Sequence, residues 1–286
     1  MQHMTASGPG PRRDTRGIVD AAELLARVRF RRYAPAPALR PYLEHYWLID
    51  WDLTEPYVSQ VVPHPSVNVV FERNEGRNGG DSAVVSGIGL ELFAKELTGR
   101  GRVCGVQFRP GGFRPFAPAW PVAHWTGRIA PLAEAFAGTG PQDPPRVLAP
   151  DEDHARVAAL DAFLLGRGGP VPDPAAEEAM ALVDLVRGDR SVRRVSALAR
   201  AAGLSPRSLQ RLFASYVGVG PKWVILRYRI HEALERAESG SVASLPDWAE
   251  LAADLGYSDQ AHLVRDFTAT VGVPPTAYAR AVLSVP

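Results

Sequence analysis

The chain has 286 residues, 46 % hydrophobic and 22 % charged, a globular composition that excludes a wholly disordered or fibrous protein. No apolar run approaches the roughly 20 residues of a membrane helix, and no apolar signal core follows Met1. The single cysteine, Cys104, can form neither an internal disulfide nor a cysteine-based zinc site. These features point to a cytoplasmic protein with no membrane partner, no metal and no cofactor.

The net charge of +1 conceals an asymmetry. Residues 187–240 hold 11 Lys+Arg against 4 Asp+Glu, a net of +7, whereas residues 1–186 and 241–286 are each at −3. A basic block of this kind suits phosphate binding, although a solvated basic face has the same composition.

In chain order, residues 1–17 are rich in Gly, Pro and Arg without periodicity and read as a disordered arm or, at Met1-Gln2-His3-Met4, an expression scar. Short strand patterns follow at 43–51, 66–71, 84–86 and 103–108, separated by Gly and Pro and by a turn-forming stretch at 74–80. Such spacing suggests an antiparallel barrel or jelly roll. From about residue 130 the apolar residues fall at i, i+3 and i+4. This predicts helices over 130–136, 153–165 and 175–187, with Asp151, Asp153 and Asp173 as starts. Residues 138–150 and 166–174 read as loops. The remainder is helical, with breaks at Gly203, Gly218-Val219-Gly220, Gly240, Gly256 and Gly272.

An internal repeat organises this last segment. Leu209-x-Arg211-x-Phe213-x4-Gly218-x2-Pro221 recurs as Leu263-x-Arg265-x-Phe267-x4-Gly272-x2-Pro275, an offset of 54. Upstream, Leu198-Ala199 and Gly203-Leu204 recur as Leu251-Ala252 and Gly256-Tyr257 at an offset of 53. Each copy reads as helix, tight turn, helix. Gly203 and Gly256 suit a left-handed turn residue, and Ser205 and Asp259 suit helix caps, with Pro206 in a first turn. The second helix of each copy puts Leu209, Leu212 and Phe213, or Leu263 and Phe267, on one face and polar side chains on the other. That is the arrangement of a helix-turn-helix DNA reader. A helix over 221–239 would span about 27 Å at 1.5 Å per residue, a stiff spacer near the 34 Å of one DNA turn.

With these motifs in view, residues from about 180 to 282 resemble the DNA-binding domain of AraC/XylS-type transcription regulators. The resemblance is carried by Leu198-Ala199 and 203–213, by Gly218-Val219-Gly220-Pro221, by 251–263 and by Gly272 to Tyr278. Residues 63–71 and 106–113 resemble a cupin-like sensor or dimerisation domain of one group of these regulators. The expected fold is α+β and multi-domain. It comprises an antiparallel β-barrel with helices over 18–170, a linker helix region over 171–189, and an all-α reader over 190–286. Within the reader the two helix-turn-helix units are expected at about 195–218 and 247–272. The resemblance implies a sequence-specific regulator of transcription that binds double-stranded DNA. It also implies a small-molecule effector, a homodimer, and RNA polymerase as partner if the protein is an activator, the family's commoner mode.

By the family pattern the DNA-contacting candidates are Ser205, Arg207, Ser208, Gln210 and Arg211 in the first head and Asp259, Gln260, His262 and Arg265 in the second. Arginine can read guanine and glutamine adenine in the major groove. Arg193, Arg194, Lys222, Arg227 and Arg229 are candidate phosphate contacts. Ala261 and Asp266 weaken the second head, so the first is expected to dominate. Tyr46, Trp47, Trp51, His64, Arg109 and Trp125 are the candidate effector pocket. Two alternatives have sequence support. His45, His64 and His124 with Asp50, Asp52 and Glu72 could serve a cupin-like metal-dependent enzyme, though no tight His-x-His pair is present. The aromatic residues could instead form a ligand-free dimerisation module.

Overall fold

The computed structural model describes residues 17–75, 79–167, 169–238 and 246–283. The expected arm up to residue 16, residues 76–78 of the expected turn and the break at Gly240 lie outside them.

A short helix α1 (Ala21–Arg27) precedes six strands: β1 (Val28–Tyr33), β2 (Leu43–Val61), β3 (Asn68–Asn74), β4 (Asp81–Ser86), β5 (Phe93–Phe108) and β6 (Ile129–Pro131). They form one antiparallel sheet in the order β1-β2-β5-β3-β4-β6. The antiparallel body matches the expected architecture, but β1 and β6 are its two edges, so the strands do not close into a ring. Helices α2 (Asp143–Leu148), α3 (Asp153–Leu165) and α4 (Pro174–Gly188) follow.

Period-2 alternation sorts the sheet into two faces. Tyr46, Leu48, Val69, Phe71, Val85, Cys104, Val106 and Phe108 join α2, α3 and the 113–136 segment in the main core. Phe71 meets Phe163 edge-to-face at 5.2 Å. On the opposite face Val28, Phe30, Trp51, Leu97 and Val103 pack with Leu24 of α1. Two glycines make room for indoles there: a Cβ on Gly101 would lie 2.3 Å from the Trp51 ring, and one on Gly105 would lie 1.9 Å from Trp47. Cys104 is buried in the main core, where desolvation pushes its thiol up to about 11, so it stays protonated and unreactive at neutral pH.

Helix α3 is pinned to the sheet by polar anchors on its inner side. Asp153 does not cap the helix; it is the first residue, and its carboxylate accepts from Arg29 (2.9 Å), Arg31 (2.9 Å) and the Tyr33 hydroxyl (2.8 Å) of β1. Burial alone would raise the Asp153 pKa, but the Arg31 guanidinium and the Tyr33 hydroxyl outweigh it and hold the carboxyl below its ordinary value. Arg156, 2 % exposed, gives its donors to Asp50 (2.8 Å) and to the carbonyls of Pro150 (2.8 Å) and Asp151 (3.0 Å). Asp161 accepts from the Ala36 amide (2.9 Å) and the Tyr46 hydroxyl (2.8 Å).

Two expectations fail here for identifiable reasons. Residues 130–136 are not a helix. Ile129–Pro131 is the edge strand β6, and Leu132–Glu134 is a 3-10 turn. The apolar spacing is real, since Ala130, Leu132 and Phe136 are all buried, but residues 129–131 are taken up in pairing with Val84, Val85 and Ser86 of β4. Residues 138–150 are not all loop either. Asp143–Leu148 is helical with Pro144 and Pro145 in its first turn, where a missing amide costs nothing.

The buried ionic anchors should be energetically asymmetric. Arg156→Met removes a fully hydrogen-bonded cation and leaves the half-buried Asp50 short of a partner, so it should destabilise the protein by about 3 kcal/mol, as measured by urea unfolding. Asp153, depressed in the folded state, stabilises the protein fully above about pH 4, and that contribution is lost as pH falls through its lower folded value.

Candidate nucleic-acid interface

The C-terminal segment consists of α5 (Val195–Ala201), α6 (Pro206–Tyr216), α7 (Pro221–Glu238), α8 (Trp248–Asp254), α9 (Gln260–Val271) and α10 (Pro275–Leu283). The sequence repeat is a structural repeat. Gly203 and Gly256 turn the chain at φ +65° and +75°. The amides of Leu204 and Tyr257 both donate back, at 2.9 Å, to the carbonyls of Ala199 and Ala252. Ser205 caps α6 by accepting from the Ser208 amide at 3.1 Å, and Asp259 caps α9 by accepting from the His262 amide at 2.7 Å. That backbone bond also holds the exposed Asp259 carboxyl below its ordinary pKa. Leu198, Leu209 and Phe213 are buried in the first unit, as Leu251, Leu263 and Phe267 are in the second.

The opposite face of each second helix is open. Ser205, Arg207, Gln210 and Arg211 are exposed and Ser208 is half-buried. Among the described residues, Arg207, Gln210 and Arg211 have no hydrogen-bond or ion-pair partner, and the same holds for the exposed Arg194 and Lys222. The second head is less vacant. Gln260 and Arg265 are exposed, but the half-buried His262 is engaged by Ser258 Oγ at 3.2 Å and lies 3.7 Å from Asp266.

Three of the five expected phosphate contacts are otherwise occupied. Arg227 is only 6 % exposed and points into the sheet domain, donating to the carbonyls of Pro63 (3.2 Å) and Leu90 (3.1 Å), with its guanidinium 4.3 Å from the Trp223 ring centre. It cannot reach DNA, and the reason is tertiary, because the sheet domain covers that side of α7. Burial lowers its pKa to about 10, so it is still charged at pH 7. Arg193 donates to the Asp254 carbonyl at 3.0 Å and Arg229 donates to the Arg193 carbonyl at 2.7 Å.

The same junction holds other contacts. His231 of α7 stacks on His64 at 3.8 Å with 10° between the rings, and its ring lies 3.3 Å from the Pro63 carbonyl. Burial and the neighbouring His64 ring hold the His231 imidazole well below the usual histidine pKa. The Thr126 hydroxyl donates to the Gly218 carbonyl at 2.8 Å, and Arg187 of α4 pairs with Glu44 of β2 at 2.8 Å.

Beside the histidine stack is a cavity of about 650 Å³ between the sheet and the reader. Its sheet side includes His45, His64, Ser66 and Gln107, and its reader side includes Arg187, Tyr228 and His231. Of the six residues expected to form an effector pocket, only His64 lines it. Tyr46, Trp51 and Trp125 are core residues, Trp47 packs against Gly105, and Arg109 is tied to Asp184 and to the Pro41 carbonyl. Aromatic size predicted a pocket, but these rings have enough apolar partners to be buried outright. The missed signal is a polar stripe on α7, where Tyr228, Glu232 and Glu235 follow at helical spacing. His45, His64, His124, Asp50, Asp52 and Glu72 do not converge: no group of three or more His, Cys, Asp or Glu among the described residues could hold a metal ion. No helix among them is long and apolar enough to cross a membrane.

The geometry is that of a double helix-turn-helix DNA reader. Residues 198–281 match a family described as a helix-turn-helix domain. Residues 31–131 match a domain of unknown function (DUF6597). No curated protein matches the chain significantly. Among solved structures, an AraC-type DNA-binding domain-containing regulator from Chromobacterium violaceum aligns at 18 % identity and a TM-score of 0.35, covering 40 % of this chain and 98 % of that one. ToxT from Vibrio cholerae aligns at 12 % identity and 0.42, covering 84 % and 98 %. A fatty-acid-bound form of ToxT aligns at 13 % and 0.40, covering 84 % and 96 %.

The caps give a direct check on the repeat. Ser205→Ala and Asp259→Ala should each cost about 1 kcal/mol in thermal unfolding. Ser205→Gly should cost only a few tenths, since glycine is itself well accepted at an N-cap.

Proposed function

We infer that the protein is an effector-responsive regulator whose heads, α6 and α9, enter adjacent major grooves on one face of DNA. The observation that carries this is the row of exposed, unpartnered Arg207, Gln210 and Arg211 on a capped helix whose other side is core. Helix α7 separates the heads by about 27 Å over its 18 residues. In this reading Arg207, Gln210 and Arg211 contact bases, Ser205 and Ser208 hold a phosphate at the α6 N-terminus, and Arg194 and Lys222 add phosphate contacts. Gln260 and Arg265 contact mainly the backbone, with Asp259 and His262 shaping the start of α9. In the same reading residues 18–170 are a sensor, 171–189 a connecting helix region and the segment from 190 the reader, acting in the cytoplasm.

We place the effector in the cavity at the domain junction. Its lining of arginine, histidine, glutamate, serine, glutamine and tyrosine fits a small polar or ionic molecule better than a long alkyl chain. A ligand touching both sides at once can favour one arrangement of the two domains, which is the condition for any switch.

Genomic DNA selection with the full-length protein should enrich one asymmetric motif spanning about two helical turns. Arg207→Ala should weaken binding to it by about 1–3 kcal/mol and relax one base position, whereas Gln260→Ala should cost less. If Gln260→Ala is the more damaging, the second head dominates and the assignment of roles is wrong. Gln107→Trp, which puts an indole on the cavity wall, should weaken any thermal shift given by a panel of polar metabolites while leaving DNA affinity intact.

A further inference from the structure

Arg193 and Arg229 lie in the basic block, yet neither offers a vacant guanidinium. Arg193 precedes the first head. Its guanidinium donates to the carbonyls of Arg190 (3.3 Å) and Asp254 (3.0 Å), the latter at the end of the second head's first helix. Its side-chain stem lies against Gly256 so closely that a Cβ on that glycine would be 2.5 Å from Arg193 Cδ. Arg229, on the spacer helix α7, donates to the Arg193 carbonyl at 2.7 Å and lies 5.6 Å from the ring centre of Tyr257, in the second head's turn. Around them Arg190 pairs with Glu232 of α7, and Arg236 of α7 lies 3.7 Å from Asp254. The loop before head one, the spacer helix and the turn of head two therefore meet at one knot of charge-assisted hydrogen bonds.

The geometry points to Arg193 and Arg229 as positioning residues that fix the angle between the two reading heads, and hence the spacing of the two DNA half-sites that the protein accepts. The inference rests on α6 and α9 being the readers. A helix alone sets distance along its axis, but the direction in which a head faces is set by what packs at its end. Here head two packs on the C-terminal half of α7 through Ile230, Ala233, Leu234 and Ala237. The ties from Arg193 and Arg229 reach it by a second route. Arg190, Arg229, Glu232 and Asp254 are also one wall of the junction cavity, so a molecule bound there would touch the same knot.

The test is selection from a pool of random duplexes with the full-length chain, read as the distribution of spacings between the two motif halves. Wild-type protein should return one spacing. Arg193→Ala and Arg229→Met should return the same two half-sites at scattered spacings. Their preference for the favoured spacing over one displaced by a base pair should fall roughly tenfold, the scale of one charge-assisted hydrogen bond. Arg200→Ala, removing an exposed arginine of the basic block to which no DNA contact is assigned, should keep the single spacing. A merely structural role would lower the melting temperature without broadening the spacing. Retention of one spacing with uniformly weaker binding and a salt slope about one unit shallower would mean that these arginines contact phosphate, and would overturn the proposal. So would a wild-type motif with one half only. No motif at all from wild-type protein would instead defeat the assignment of DNA reading itself.

Discussion

A buried arginine on the spacer helix decides how this molecule is put together. Arg227 lies where α7 passes from one core to another. Val224 and Ile225 belong to the core shared by the sheet and the first head, whereas Ile230, Ala233, Leu234 and Ala237 belong to that of the second. Between them the guanidinium is withdrawn from water and satisfied by two carbonyls and an indole face rather than by a carboxylate. Desolvating a cation costs several kcal/mol, and carbonyl dipoles return only part of it. The docked arrangement of sheet and reader therefore carries a penalty that the surrounding apolar contact must offset.

That penalty gives regulation something to act on. The loops on either side of β3 and β4 present Pro63 and Leu90 to Arg227, and Val62 and Leu92 from the same loops pack with the second head's core. The His64–His231 stack closes the junction. None of Arg207, Gln210, Arg211, Gln260 and Arg265 takes part in these contacts, so docking does not occupy the side chains assigned to DNA reading. What docking constrains is α7, through which both heads are oriented.

The reader was largely legible in sequence because its information is local. A left-handed turn needs glycine, a cap needs a short oxygen-bearing side chain, and a helix buried on one side needs apolar residues at i, i+3 and i+4. Gly203, Ser205, Leu209 and Phe213 satisfy these demands, and Gly256, Asp259, Leu263 and Phe267 repeat them. The sheet domain was less legible. β2 runs on to Val61 and β5 starts at Phe93, through exposed polar stretches that carry little alternation. Pro144 and Pro145 looked like loop but open a helix. At the candidate site the sequence marked the basic block, yet could not separate Arg227 and Arg229, which are occupied, from Arg207 and Arg211, which are not. All four are arginines on amphipathic helices, and only tertiary contacts distinguish them, from the sheet domain for Arg227 and from within the reader for Arg229.

The sequence by itself determined that the protein carries two like helix-turn-helix heads, which helix in each presents polar side chains, and that the first is the more basic. These follow from backbone sterics, capping and helical periodicity, each acting within a few residues. Tertiary structure alone decided that the tryptophans are core rather than pocket and that the cavity lies between domains. It also decided that three arginines of the basic block hold the molecule together. Such outcomes depend on which surfaces meet across tens to more than a hundred residues of chain, and no local rule fixes the partner that a side chain finds there.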